Sequence, residues 1–217
     1  MPPADAAAVE RALRAFAAAT IGLAAHELNN RLAVMRETVG LMEDLARAGK
    51  SGAAGTARAH ASLDDQVGRA LNIVRTLSGL GGALGATGGG FDVGAATGDL
   101  LGLSERWARQ NSLRLERDIA GGLPRASGDP ALFLCLTHRL LLAAAAHLRP
   151  GGGILLRAGR DGGGVRLGLH PAGERLEGAA APATDDDGVN RELARRLGAE
   201  LLFEGGGAAT IKLAAFH

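Results

Sequence analysis

Leu28, Leu32, Met35, Val39, Met42 and Ala46 follow one another at alternating steps of four and three residues, the spacing of one apolar stripe on an α-helix that packs in a bundle. The pattern predicts a helix from about Ala4 to about Ala48, stopped by Gly49-Lys50-Ser51-Gly52. A second stripe, Leu63, Val67, Ala70, Val74 and Leu77, predicts another helix from about Thr56 to just before the Gly81-Gly82 pair. Two long helices on a short connection form an αα-hairpin, and one narrow stripe on each cannot enclose a core. Pairing two hairpins into a four-helix bundle supplies the missing walls, so a homodimer is expected. A hairpin packed wholly on the C-terminal half of its own chain is the alternative.

Beyond the stretch Gly81 to Gly90 the texture changes. Phe91-Asp92-Val93 reads as a short strand, Thr97 to Gln110 as an amphipathic helix, and Leu113 to Ile119 as a strand. After the turn Ser127-Gly128-Asp129-Pro130 comes a helix to about Leu148, then strands Ile154 to Ala158 and Val165 to Leu169 around a glycine-rich turn. A helix from about Val189 to Leu197 and strands near Glu200 to Glu204 and Thr210 to Leu213 close the sequence. Helices on one face of a mixed sheet make an α+β sandwich. The expected fold is thus an all-α hairpin over residues 1–84, forming a four-helix bundle on dimerisation, followed by an α+β sandwich over residues 91–217.

Composition narrows the function classes. At 217 residues and 47% hydrophobic the chain can bury a substantial core. Its longest apolar stretch, Leu140 to Leu148, falls far short of the roughly 20 residues of a membrane span, and Met1 to Glu10 lacks the basic flank of a signal peptide. No membrane association and a cytoplasmic location are expected. The single cysteine, Cys135, excludes a disulfide and a thiolate metal cluster. A net charge of +1, no Tyr and one Trp give neither the basic footprint nor the stacking platform of a nucleic-acid binder. His60, His138, His147 and His217 share no metal-ligand spacing, so no metal site is expected. Asp185-Asp186-Asp187 reads as a solvated loop before it reads as a cation site.

The chemistry concentrates in His26-Glu27-Leu28-Asn29-Asn30. At about 100° per residue, His26 and Asn30 each lie about 200° from the Leu28 stripe, which points both to solvent. They are four apart, so they are neighbours on one face, with the small residues Gly22 and Ala33 on either side. Glu27 points about 100° aside, within reach of one ring nitrogen, which would leave the other as nucleophile. An isolated exposed histidine is most simply a solvated polar group; the neighbours of His26 make the difference.

That segment resembles the H-box of sensor histidine kinases. The resemblance implies that His26 is the phospho-acceptor, Glu27 the adjacent base that orients it, and Asn30 a residue able to position water for dephosphorylation. Gly22, Leu23, Arg31 and Ala33 then border the surface on which a partner docks. The family usually has proline after the two asparagines, where Arg31 stands here, so the helix is expected to run straight past the site. The order of elements from Phe91 onward is similar to the ATP-binding domain of the same kinases, so the resemblance covers nearly the whole chain.

The nucleotide-binding residues of that family are not carried over. Where it places asparagines that hold magnesium on the helix after the Asp-Pro turn, Arg139 and Ala143 align. Where it places the adenine-binding acid, His170 stands, in Leu169-His170-Pro171-Ala172-Gly173-Glu174. Its second glycine-rich box is reduced to Asp185-Asp186-Asp187-Gly188, whose carboxylates repel a triphosphate. A phospho-acceptor helix beside such a domain implies a histidine phosphotransfer protein of a two-component phosphorelay. It would take a phosphoryl group from a response-regulator receiver aspartate, supplied by a hybrid histidine kinase, and pass it to another receiver. No cofactor of its own is expected, since the receiver would carry the magnesium. A receiver phosphatase using Asn30, a pseudokinase scaffold and an active kinase with an unusual pocket remain the alternatives.

Overall fold

The computed structural model describes residues 6–50, 52–85, 89–174, 188–204 and 207–216. Two helices, α1 (Ala6–Arg47) and α2 (Ala53–Gly85), come first. The turn between them is set by Gly49 at φ 65°, with the Lys50 N–H donating to the Leu45 carbonyl at 2.9 Å; a left-handed glycine after the last helical turn satisfies carbonyls the helix leaves open. There follow α3 (Val93–Gln110), β1 (Arg114–Ile119), α4 (Pro130–Ala145), β2 (Gly153–Asp161), β3 (Gly164–Ala172), α5 (Val189–Leu197), β4 (Glu200–Phe203) and β5 (Ala209–Ala214).

The sheet runs in the order β1-β2-β3-β5-β4. β1 and β2 are parallel, and every other neighbouring pair is antiparallel. Register places Leu156 opposite Leu169 and Leu167 opposite Ile211. All four are buried, together with Leu100 of α3, Phe133, Leu136 and Leu140 of α4, and Leu193 of α5. Alternate residues point to opposite faces of a strand, so Arg157, Arg166 and His170 lie on the other side of the sheet from that core. α4 packs on β2 and β3 and against α3 and α5. It begins where the Asp129 carboxylate accepts the Ala131 N–H at 2.7 Å, with Pro130 in the first turn.

Two expectations about element limits need correction. Phe91-Asp92-Val93 is not a strand: Phe91 forms an isolated bridge with Ala126, and the Asp92 carboxylate accepts the Ala95 N–H at 2.9 Å, starting α3 at Val93. α2 does not stop before Gly81-Gly82 but continues to Gly85. Glycine lowers helix propensity by about 1 kcal/mol against alanine without forbidding the helix. At Gly79 it also makes room, since a Cβ there would lie 2.9 Å from the Asp99 carboxylate of α3.

Two compact units divide the chain: Ala19–Ser78, and a larger unit joining residues up to Ala18 with those from Gly79 onward. In the larger unit Val9 and Phe16 of α1 are buried, and the Phe16 ring packs on His138 of α4 with centroids 5.3 Å apart. In the smaller unit the apolar stripes divide. Leu28, Met35 and Met42 are half-buried, whereas Leu32 (51% exposed), Val39, Val67, Leu71 (50%) and Val74 stand in solvent.

Candidate functional site

His26 lies in the middle of α1, exposed as its position opposite the apolar stripe predicts. Gly22 and Ala33 beside it are also exposed, and apart from its chain neighbours and its own helix backbone nothing comes within 4 Å of a Cβ placed at Gly22. Leu23 is half-buried. Asn30 is half-buried too and engaged in an interaction of its own, which corrects the expectation that it projects freely to solvent.

Arg31 continues the helix without interruption and turns its guanidinium inward. One terminal nitrogen donates to the Glu27 carboxylate one turn earlier, and the other donates to Gln66 Oε1 of α2 at 3.1 Å. The side chains of Arg31 and Glu27 are 22% and 16% exposed, and Arg31 Nε is buried with no hydrogen-bond partner. Within the predicted docking set, Arg31 therefore faces α2, while Gly22 and Ala33 remain open beside His26. An i,i+4 Glu-Arg pair is visible in any sequence. The third member, Gln66, is 35 residues away from Arg31 and carried no local signal.

In the larger unit Arg139 Nε donates to Asn190 Oδ1 at 2.7 Å, tying α4 to the start of α5. Asn190 is 3% exposed. Ala143 is half-buried, and His170 is half-buried on the face of the sheet away from the core. The His170 ring lies over Gly168, where a Cβ would meet Nε2 at 2.5 Å. Asp185, Asp186 and Asp187 lie outside the described residues, as does His217. His60 is exposed and His147 half-buried. His138 is held below its ordinary pKa, first by burial and then by the Arg139 charge. Among the described residues no cluster of three His, Cys, Asp or Glu side chains is placed to hold a metal ion. No helix among them is long and apolar enough to cross a membrane.

A helical hairpin followed by a five-stranded mixed sheet backed by helices is the fold of the histidine kinases. Over 88% of this chain and 98% of its own, the Acinetobacter baumannii histidine kinase AdeS matches with a TM-score of 0.50 at 16% identity. The nucleotide-free catalytic domain of histidine kinase ThkA matches 60% of this chain with 97% of its own, at a TM-score of 0.48 and 13% identity. A structure described as a bacterial phosphotransferase matches 97% of this chain with 98% of its own, at 0.46 and 15%. At these identities the likeness is one of fold. No protein-family model and no curated protein sequence matches the chain.

Proposed function

We propose that this chain is a histidine phosphotransfer protein of a two-component phosphorelay. His26 takes a phosphoryl group from the aspartyl phosphate of one receiver domain and gives it to another. The observation that carries this reading is an exposed His26 on the hairpin of a histidine-kinase fold, in a chain whose expected nucleotide positions hold Arg139, Ala143 and His170. Arg139 is committed to Asn190 there, and a guanidinium already hydrogen-bonded to an amide is a poor substitute for a magnesium ligand.

In the proposed reaction a lone pair on the His26 ring attacks phosphorus. The P–O bond to the receiver aspartate breaks, and its electron pair stays on that carboxylate. The receiver's magnesium balances charge on the phosphoryl oxygens, so this chain supplies position and an accessible nucleophile. A homodimer fits the same reading, because Leu32, Val39, Val67, Leu71 and Val74 present apolar surface of the kind a second hairpin covers.

The test offers labelled ATP, and separately a panel of labelled phospho-receivers, to the wild type and to His26→Ala. Label on the wild type from a receiver, with none from ATP and none on His26→Ala, is the expected result. Label from ATP would make the protein a kinase. Loss of receiver label without any phosphoprotein would make it a receiver phosphatase, with Asn30→Ala abolishing the loss.

A further inference from the structure

Arg31 sits one turn beyond the proposed phospho-acceptor, and its bonds to Glu27 and Gln66 leave the residue next to His26 charge-balanced. We infer that Arg31 is a positioning residue that stabilises the phosphohistidine form of His26 by neutralising Glu27; the inference rests on the phosphotransfer reading above. The argument is electrostatic. A phosphoryl group brings close to two negative charges to the imidazole, and an unbalanced carboxylate on the adjacent residue raises the free energy of that product. Arg31 removes the net charge without displacing Glu27, because the pair is anchored on α2 through Gln66 and is mostly shielded from water, with exposures of 22% and 16%. Arg31 Nε is buried without a partner in this orientation, which costs one unsatisfied donor.

A relay protein must hold its phosphoryl group long enough to meet a second receiver, and the Asp-to-His transfer is reversible. A balanced Glu27 shifts that equilibrium toward this chain. It also slows hydrolysis, because a negative field draws a proton to the phosphorylated ring and protonation makes the imidazole a better leaving group.

Two readouts test the role, each on the whole 217-residue chain as Arg31→Gln, Glu27→Gln and the double variant, with helicity and light-scattering mass checked for each. The first is the end-point partition of label between a phospho-receiver and His26, which is independent of any effect on rate. The second is the half-life of phosphohistidine formed with phosphoramidate, where ammonia is the leaving group and no receiver is needed. Arg31→Gln is expected to shift the partition toward the receiver and to shorten the half-life, each by about 3- to 10-fold. In the Glu27→Gln background, where the carboxylate charge is gone, adding Arg31→Gln should leave both readouts where Glu27→Gln alone puts them. Equal partition and half-life in wild type and Arg31→Gln would overturn the role of Arg31, as would an Arg31→Gln shift of the same size in the Glu27→Gln background. If no receiver labels the wild type, the relay reading fails while the phosphoramidate half-lives still decide Arg31. A His26 that takes no phosphoryl group from phosphoramidate overturns both.

Discussion

The Arg139 guanidinium on α4 donates to the buried Asn190 amide oxygen on α5 across 2.7 Å. Breaking a charged hydrogen bond to a buried acceptor costs more than the bond contributes net, because the acceptor stays desolvated. Arg139→Leu is expected to lower unfolding stability by about 2 kcal/mol, read as a lower urea midpoint at unchanged slope. An unchanged midpoint would mean that another group takes over Asn190.

The lowered pKa of His138 has a definite sign in stability. Because burial and Arg139 disfavour the imidazolium in the folded chain, the unfolded chain takes up the proton first as pH falls. Above about pH 6.5, the ordinary histidine value, the ring is neutral in both states and adds no pH dependence. As pH drops through that value and on toward the folded one, stability is lost. Chemical denaturation at pH 7 and pH 5 should show this loss, and His138→Leu should show a smaller one. An identical difference in both proteins would assign the pH dependence to other groups.

Cys135 is fully buried, and its thiol is pushed up to about 11 by burial, against the opposing charge of Arg139. The thiolate is the reactive species. A thiol-specific chromogenic reagent at pH 8 should therefore leave the native protein unmodified and titrate one thiol after denaturation. Fast modification of native protein would show that the α4 region opens readily.

Leu71 is half exposed on α2, beside Val67 and Val74. If a second hairpin covers these residues, Leu71→Glu buries a charge in the bundle. Light scattering should then give a monomer mass for the variant and a dimer mass for the wild type, at equal helicity. A wild-type monomer would leave the apolar stripe to another partner.

Legibility in the sequence followed the range of the forces involved. The helix expected from about Val189 to Leu197 is α5, Val189–Leu197, since Gly188 and Gly198 bracket it with left-handed backbone and its pattern is local. The strand cores were equally clear, as inward Leu156, Leu167 and Leu169 alternate with outward Arg157, Arg166 and His170. Phe91-Asp92-Val93 misled because its composition suits a strand, whereas the decisive event is one side-chain bond from Asp92 to Ala95. At the site, the exposure of His26 followed from helix geometry alone. The inward turn of Arg31 did not, because it depends on where Gln66 falls on a neighbouring helix, and the Arg139–Asn190 bond likewise joins residues 51 positions apart.

Phe16 and His138, packed ring against ring, also join two parts of the chain that are far apart in synthesis. Phe16 is made well before α4, yet the His138 ring it packs on emerges only with α4. Contacts between such distant segments must bear the loop-closure entropy before they return any stability. Until α4 is made, Phe16 lacks the ring it packs on, and apolar surface exposed during folding is what chaperones shield. Translation order therefore gives Phe16 a late role: it is made before α4 and can pack on His138 only after α4 is made.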